Sequence, residues 1–126
     1  MTCPCDDGAM PVRVLIVDDF ADFRRSARGL LEDDGFEVVG EAEDGRSAVA
    51  EVQRLRPEVV LLDVQLPDVD GFEVAARLAS WPDPPIVVLV STREARTYAA
   101  PLAATPARGF IPKAELSGER LAALLG

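Results

Sequence analysis

A chain of 126 residues is long enough for one hydrophobic core and short for two. With 48% hydrophobic residues it is too apolar for a disordered protein, yet no apolar run approaches the ~20 residues of a membrane span and no basic, apolar leader precedes the first element, so a cytoplasmic protein without membrane contact is expected. A formal charge of −9 disfavours direct nucleic-acid contact by this domain, and the absence of histidine removes Ser–His–Asp and Cys–His catalysis and His-containing zinc sites.

Residues 1–11 carry Pro, Gly and Asp without periodicity and predict a disordered tail. Within it, Cys3 and Cys5 have no further Cys or His with which to complete a tetrahedral metal site. Residues 12–126 are expected to form one domain. Val12–Val17 is apolar and mostly β-branched apart from Arg13, and reads as a buried strand. Phe23, Ala27, Leu30 and Leu31 recur at helical spacing over 20–33, with Gly35 as the stop. Phe36–Gly40 predicts a second strand, and Asp44 a cap for a helix over 46–56 that Pro57 ends. Glu58–Asp63 is a third strand with a continuously apolar centre. Asp70 and Glu73 open a helix over 71–80, and Ile86–Val90 is a fourth strand. Pro101 and Pro106 interrupt the alanine-rich stretch 93–105, which predicts a short or broken helix. Gly109–Pro112 is a brief fifth strand, and Ser117 caps a last helix bearing Leu121, Leu124 and Leu125.

Five strands alternating with helices, several of them apolar on both faces, predict a doubly wound α/β fold: a five-stranded parallel sheet covered by helices on both sides. In such a sheet the C-terminal strand ends share one edge, where ligands bind. Here those ends carry Asp18-Asp19, Asp63, Ser91-Thr92 and Pro112-Lys113. Each piece alone has an ordinary structural explanation: an acidic pair caps a helix, a serine caps a turn, a lysine is solvated. Their joint occurrence at four strand ends does not. Clustered carboxylates repel and demand a cation, and a hard divalent ion such as Mg²⁺ suits oxygen ligands while leaving positions for phosphate and water. The only lysine, Lys113, and the Ser91 hydroxyl add the positive charge and the donor that an anionic phosphoryl group requires. A carboxylate in such a pocket can act as a nucleophile and form an aspartyl phosphate.

These residues resemble the receiver domain of bacterial two-component response regulators over about residues 12–125. The matching stretches are VLIVDDF (14–20), VVLLDVQLPDVDGFEV (59–74), IVVLVST (86–92) and GFIPK (109–113). The separations agree too: an acidic pair, an aspartate 44 residues on, a hydroxyl 28 later and a lysine 22 after that. The resemblance implies a flavodoxin-like receiver fold and a signalling switch rather than an enzyme acting on a separate substrate. Asp63 is then the phospho-acceptor. Asp18, Asp19, Asp63 and the backbone carbonyl of Gln65 hold Mg²⁺, and Lys113 pairs with a phosphoryl oxygen. Ser91 is the switch hydroxyl and Phe110 the aromatic that follows it inward. The implied partners are a sensor histidine kinase or phosphotransferase as donor, and a phosphorylation-dependent homodimer or a downstream protein as target.

This sequence departs from the family pattern in places. Ala114 rather than Pro follows the lysine, Thr92 is larger than the usual residue after the switch hydroxyl, and Pro101 weakens the fourth helix. GFIPK followed by AELS resembles receivers fused to helix-turn-helix effectors. Two alternatives belong to other classes. A haloacid-dehalogenase-type phosphohydrolase needs a second aspartate where Gln65 stands. A phosphorylation-independent binding module of the same fold would lack one of the acidic residues or the lysine.

Overall fold

The apolar runs without alternation become interior strands. In the computed structural model, which describes residues 11–126, β1 (Arg13–Val17), β3 (Val59–Asp63) and β4 (Ile86–Ser91) lie side by side. β2 (Glu37–Ala42) pairs outside β1 and β5 (Gly109–Pro112) outside β4. The result is one parallel sheet of order β2-β1-β3-β4-β5. Helices α1 (Ala21–Asp33), α2 (Gly45–Leu55), α3 (Gly71–Ala79), α4 (Ala99–Ala104) and α5 (Gly118–Leu125) follow the strands in turn. This is the doubly wound α/β fold expected from the pattern. The predicted tail, apart from Pro11, lies outside the described residues together with Cys3 and Cys5.

Successive strand side chains leave opposite faces of the sheet, and two cores follow. Leu15, Val17, Val60, Leu62, Val87 and Leu89 pack with Ala48, Val52, Val74 and Leu78 of α2 and α3. Val14, Ile16, Val59, Leu61, Val88 and Val90 pack with Ala27, Leu31 and Leu121 of α1 and α5. Among the described residues no helix is long and apolar enough to cross a membrane.

The structure departs from the predicted elements by more than one residue, or at a predicted core position, in two places. β2 runs to Ala42, two residues past the predicted end. Glu41 and Ala42 pair with Ile16 and Val17, and Glu41 is tolerated there because Arg24 and Arg28 of α1 each reach it at 2.9 Å. Leu30, predicted on the apolar stripe of α1, lies at its edge and is 42% exposed. The one polar residue in the first apolar run also has its explanation. The Arg13 guanidinium donates to the carbonyls of Leu55 and Arg56 at 2.8 Å each and so satisfies the end of α2. The proline-broken stretch forms a 3₁₀ turn, Ala95–Tyr98, and the short α4, in which no residue is buried. No peptide bond among the described residues is cis.

Candidate functional site

β1 delivers Asp18 and Asp19 to the C-terminal edge of the sheet, β3 ends on Asp63, β4 on Ser91, and β5 leads into Lys113. Asp18 is fully buried. Its Oδ1 accepts the Phe20 N–H at 2.8 Å, which turns the chain into α1. Its Oδ2 lies 2.5 Å from the Lys113 ammonium but receives no hydrogen bond of proper direction. Asp63 accepts the Gln65 N–H on Oδ1 at 3.2 Å and the Lys113 ammonium on Oδ2 at 3.4 Å. Asp19 is exposed at the mouth. One oxygen from each of the three aspartates falls within 4.8 Å of the others. The mouth is a cleft of about 270 Å³ lined by Asp19, Phe20, Asp63, Gln65, Leu66, Pro67, Thr92 and Lys113.

Glycine is required where α3 begins. A methyl group on Gly71 would collide with the Asp63 carbonyl and the Val64 Cα, so the helix can pack directly on the backbone of Asp63 only without a side chain there. The loop between them is also tied sideways. The Asp68 carboxylate accepts the Gly45 and Arg46 N–H groups at 2.8 and 3.0 Å, fastening residues 64–70 to the start of α2. Those two hydrogen bonds, that of Gly45 foremost, hold the Asp68 carboxyl below the usual carboxylate range.

Electrostatics at the centre favour added positive charge. Burial, and then the neighbouring Asp18 charge, push the Asp63 carboxyl up from 3.8 to about 6, against the opposing pull of Lys113. One ammonium is thus shared between two buried carboxylates, and the buried Asp18 Oδ2 still lacks a directed donor. An all-oxygen donor set with an orphaned buried oxygen fits a hard divalent cation. Behind the carboxylates, the ammonium lies 4.5 Å from the centre of the Phe23 ring and 5.6 Å from that of Phe20, close enough for cation–π attraction.

Asp18, Asp19, Asp63 and Lys113, singled out from the sequence, therefore meet at one place. Gln65 adjoins them through its N–H and pairs across the loop with Asp70. Ser91 and Phe110 stand apart from the carboxylates: the Ser91 hydroxyl meets the Tyr98 hydroxyl at 3.1 Å, and the Phe110 ring lies 6.0 Å from that of Tyr98. Thr92, flagged for its bulk, does line the mouth. Sequence reasoning missed Tyr98, Asp68 and the Arg24–Glu41 pair, and it read Phe23 only as core. Arg24 also donates to the Asp18 carbonyl at 2.6 Å, while its bond to Glu41 and that of Arg28 outweigh burial and hold the Glu41 carboxyl low. The only signal available for Phe23 was its place four residues after the acidic pair, on the helix face that turns toward the sheet.

The family model of the response regulator receiver domain matches residues 14–125. The chain is 38% identical over 114 residues to a protein-glutamate methylesterase/protein-glutamine glutaminase of Alkalilimnicola ehrlichii, covering 87% of this chain and 29% of that one. It is 42% identical over 85 residues to the transcriptional regulatory protein PdtaR of Mycobacterium tuberculosis, covering 68% and 42%. The chain thus spans less than half the length of these two relatives. Among solved structures, the signal receiver domain of NarL from Mycobacterium tuberculosis is similar with a TM-score of 0.82 and 32% identity, over 94% of this chain and 99% of that one.

Proposed function

Because the chain belongs to the response regulator receiver domain family, we propose that it is a phosphorylation-dependent switch of a two-component pathway with Asp63 as its acceptor. The donor is a phosphohistidine on a sensor histidine kinase or phosphotransferase, which suits a chain with no histidine of its own. The observation that carries this reading is the gathering of three carboxylates within 4.8 Å around the one lysine of the chain, which touches two of them.

In the proposed reaction, an Asp63 carboxylate oxygen attacks the phosphorus of the donor. A P–O bond forms, the P–N bond breaks, and the leaving imidazole takes a proton from solvent. Asp18, Asp19, Asp63 and the Gln65 carbonyl are the groups that would hold Mg²⁺, which when bound supplies neutralising charge for the phosphoryl oxygens. Lys113, 3.4 Å from Asp63 Oδ2, is the group that would pair with a phosphoryl oxygen there. The Asp68 tie and the contact of Gly71 with the Asp63 backbone keep the acceptor from drifting, so the protein's contribution is mainly positioning and charge. Water later attacks the phosphorus and releases inorganic phosphate, restoring the carboxylate. The output passes through a phosphorylation-dependent homodimer or a downstream protein.

Incubation with Mg²⁺ and phosphoramidate should add one phosphoryl group by mass, and Asp63→Asn should abolish it. Asp19→Asn should leave the fold intact and weaken Mg²⁺ binding roughly tenfold or more, through loss of a charged ligand. Wild-type protein that forms no adduct and binds no beryllofluoride would refute the reading.

A further inference from the structure

The Ser91 side chain does not share a face with the acceptor. Ser91 continues the side of β4 that bears Val87 and Leu89, whereas Asp63 pairs beside Val90 and continues the side of β3 that bears Val59 and Leu61. The Ser91 hydroxyl accepts the Arg93 N–H at 3.1 Å and exchanges a hydrogen bond with the Tyr98 hydroxyl at 3.1 Å. Neither Asp63 oxygen is among its partners, and Ser91 is 1% exposed, so no solvent competes for it.

Tyr98 is held in turn by its ring. It meets Phe72 of α3 edge-on at 5.7 Å and tilts against Phe110 of β5 at 6.0 Å. Phe110 therefore sits beside Tyr98 within the cluster. Among the described side chains of the 3₁₀ turn and α4, Tyr98 and Leu102 pack against the core, and no residue of α4 is buried.

We propose that Tyr98 is a positioning residue that holds the Ser91 hydroxyl away from Asp63 in the unphosphorylated protein, so that capture of Ser91 by a phosphoryl group and release of Tyr98 are one event. The proposal rests on the phospho-acceptor reading of Asp63. A serine hydroxyl has one proton. Donating it to a phosphoryl oxygen on the other face requires a rotation of the side chain that breaks the contact with Tyr98. The tyrosine hydroxyl then has to find water, and the ring that anchors residues 95–104 moves with it. Phosphorylation is thereby read out at Tyr98 first, ahead of Phe110.

Tyr98 is the only tyrosine of the chain, so 3-fluorotyrosine labels this position alone. Beryllofluoride with Mg²⁺ should shift the one fluorotyrosine resonance, read apart from the ¹⁹F signals of beryllofluoride and fluoride, and Ser91→Ala without ligand should shift it in the same direction. Tyr98→Phe keeps the ring and removes the latch, so it should tighten beryllofluoride binding about two- to tenfold, the worth of one hydrogen bond, with Mg²⁺ affinity unchanged. In a Ser91→Ala background the same change should have no effect, which a purely structural role for the ring would not produce. An unchanged or weakened affinity in Tyr98→Phe, or equal tightening with and without Ser91, overturns the latch. A fluorotyrosine resonance that ignores saturating beryllofluoride overturns it as well, whatever the folding of the variants. Wild-type protein that binds no beryllofluoride at all overturns the acceptor reading, and the latch with it.

Discussion

The Lys113 ammonium has carboxylates in front and phenylalanine rings behind, and a guanidinium does not fit that slot. It is planar and broader, and it carries its charge over several nitrogens. Lys113→Arg should therefore lower the phosphoramidate reaction rate about ten- to a hundredfold, the range expected for losing one charge-assisted hydrogen bond, with the fold retained by circular dichroism. The raised Asp63 carboxyl makes a second prediction. Its contribution to stability is fully present below the unfolded value of 3.8 and is lost as pH rises through about 6. Metal-free wild type and Asp63→Asn should thus be about equally stable near pH 4. By pH 8 the asparagine variant should lead by on the order of 1 kcal/mol once solvent screening is allowed for. Chemical denaturation across that range measures the difference, and a gap that does not widen with pH would contradict it. The acidic pair, Asp63 and the lone lysine were legible in the sequence because each ends a strand, and strand ends of a parallel sheet share an edge. Tyr98 was not. Its role depends on where a proline-interrupted turn lays its ring, and no periodicity records that.

At the level of elements, the start of α3 is the most exacting junction. Gly71→Ala forces a methyl group against the Asp63 carbonyl. It should cost about 1–3 kcal/mol, as overpacking does, and slow phosphorylation by displacing the acceptor backbone. Gly29→Ala makes an internal comparison: nothing lies within 4 Å of the added carbon, and in the interior of α1 the change should stabilise by about 0.5–1 kcal/mol. Urea unfolding of the two variants tests both signs. The strands were readable from their apolar runs, but their ends were not readable where a charged residue continues the ladder. Glu41 looked like a loop residue, and only the two arginines seventeen and thirteen residues earlier make it a strand residue. Leu30 erred the other way. Helical spacing put it on the inward stripe, and the stripe is narrower than the pattern suggested.

For the whole molecule, the doubly wound class could be anticipated because both faces of the central strands are apolar, which only a sheet covered on both sides satisfies. The ties that lock distant elements could not. Asp34, at the end of α1, accepts the Gly118 N–H at the start of α5 at 2.9 Å across 84 residues of chain, and Asp68 reaches 23 residues back to α2. In the sequence both read as ordinary loop carboxylates of a chain with 22 acidic residues in all. Lys113 has a further consequence, for covalent labelling. It carries the only side-chain amine in the chain, and that side chain is 10% exposed. Acylating reagents should therefore leave Lys113 unmodified in the native protein and modify it after denaturation, as peptide mass mapping would reveal. Immobilisation or dye attachment through side-chain amines would select molecules whose site has opened, and the rate of acylation at Lys113 becomes a direct measure of how often it does.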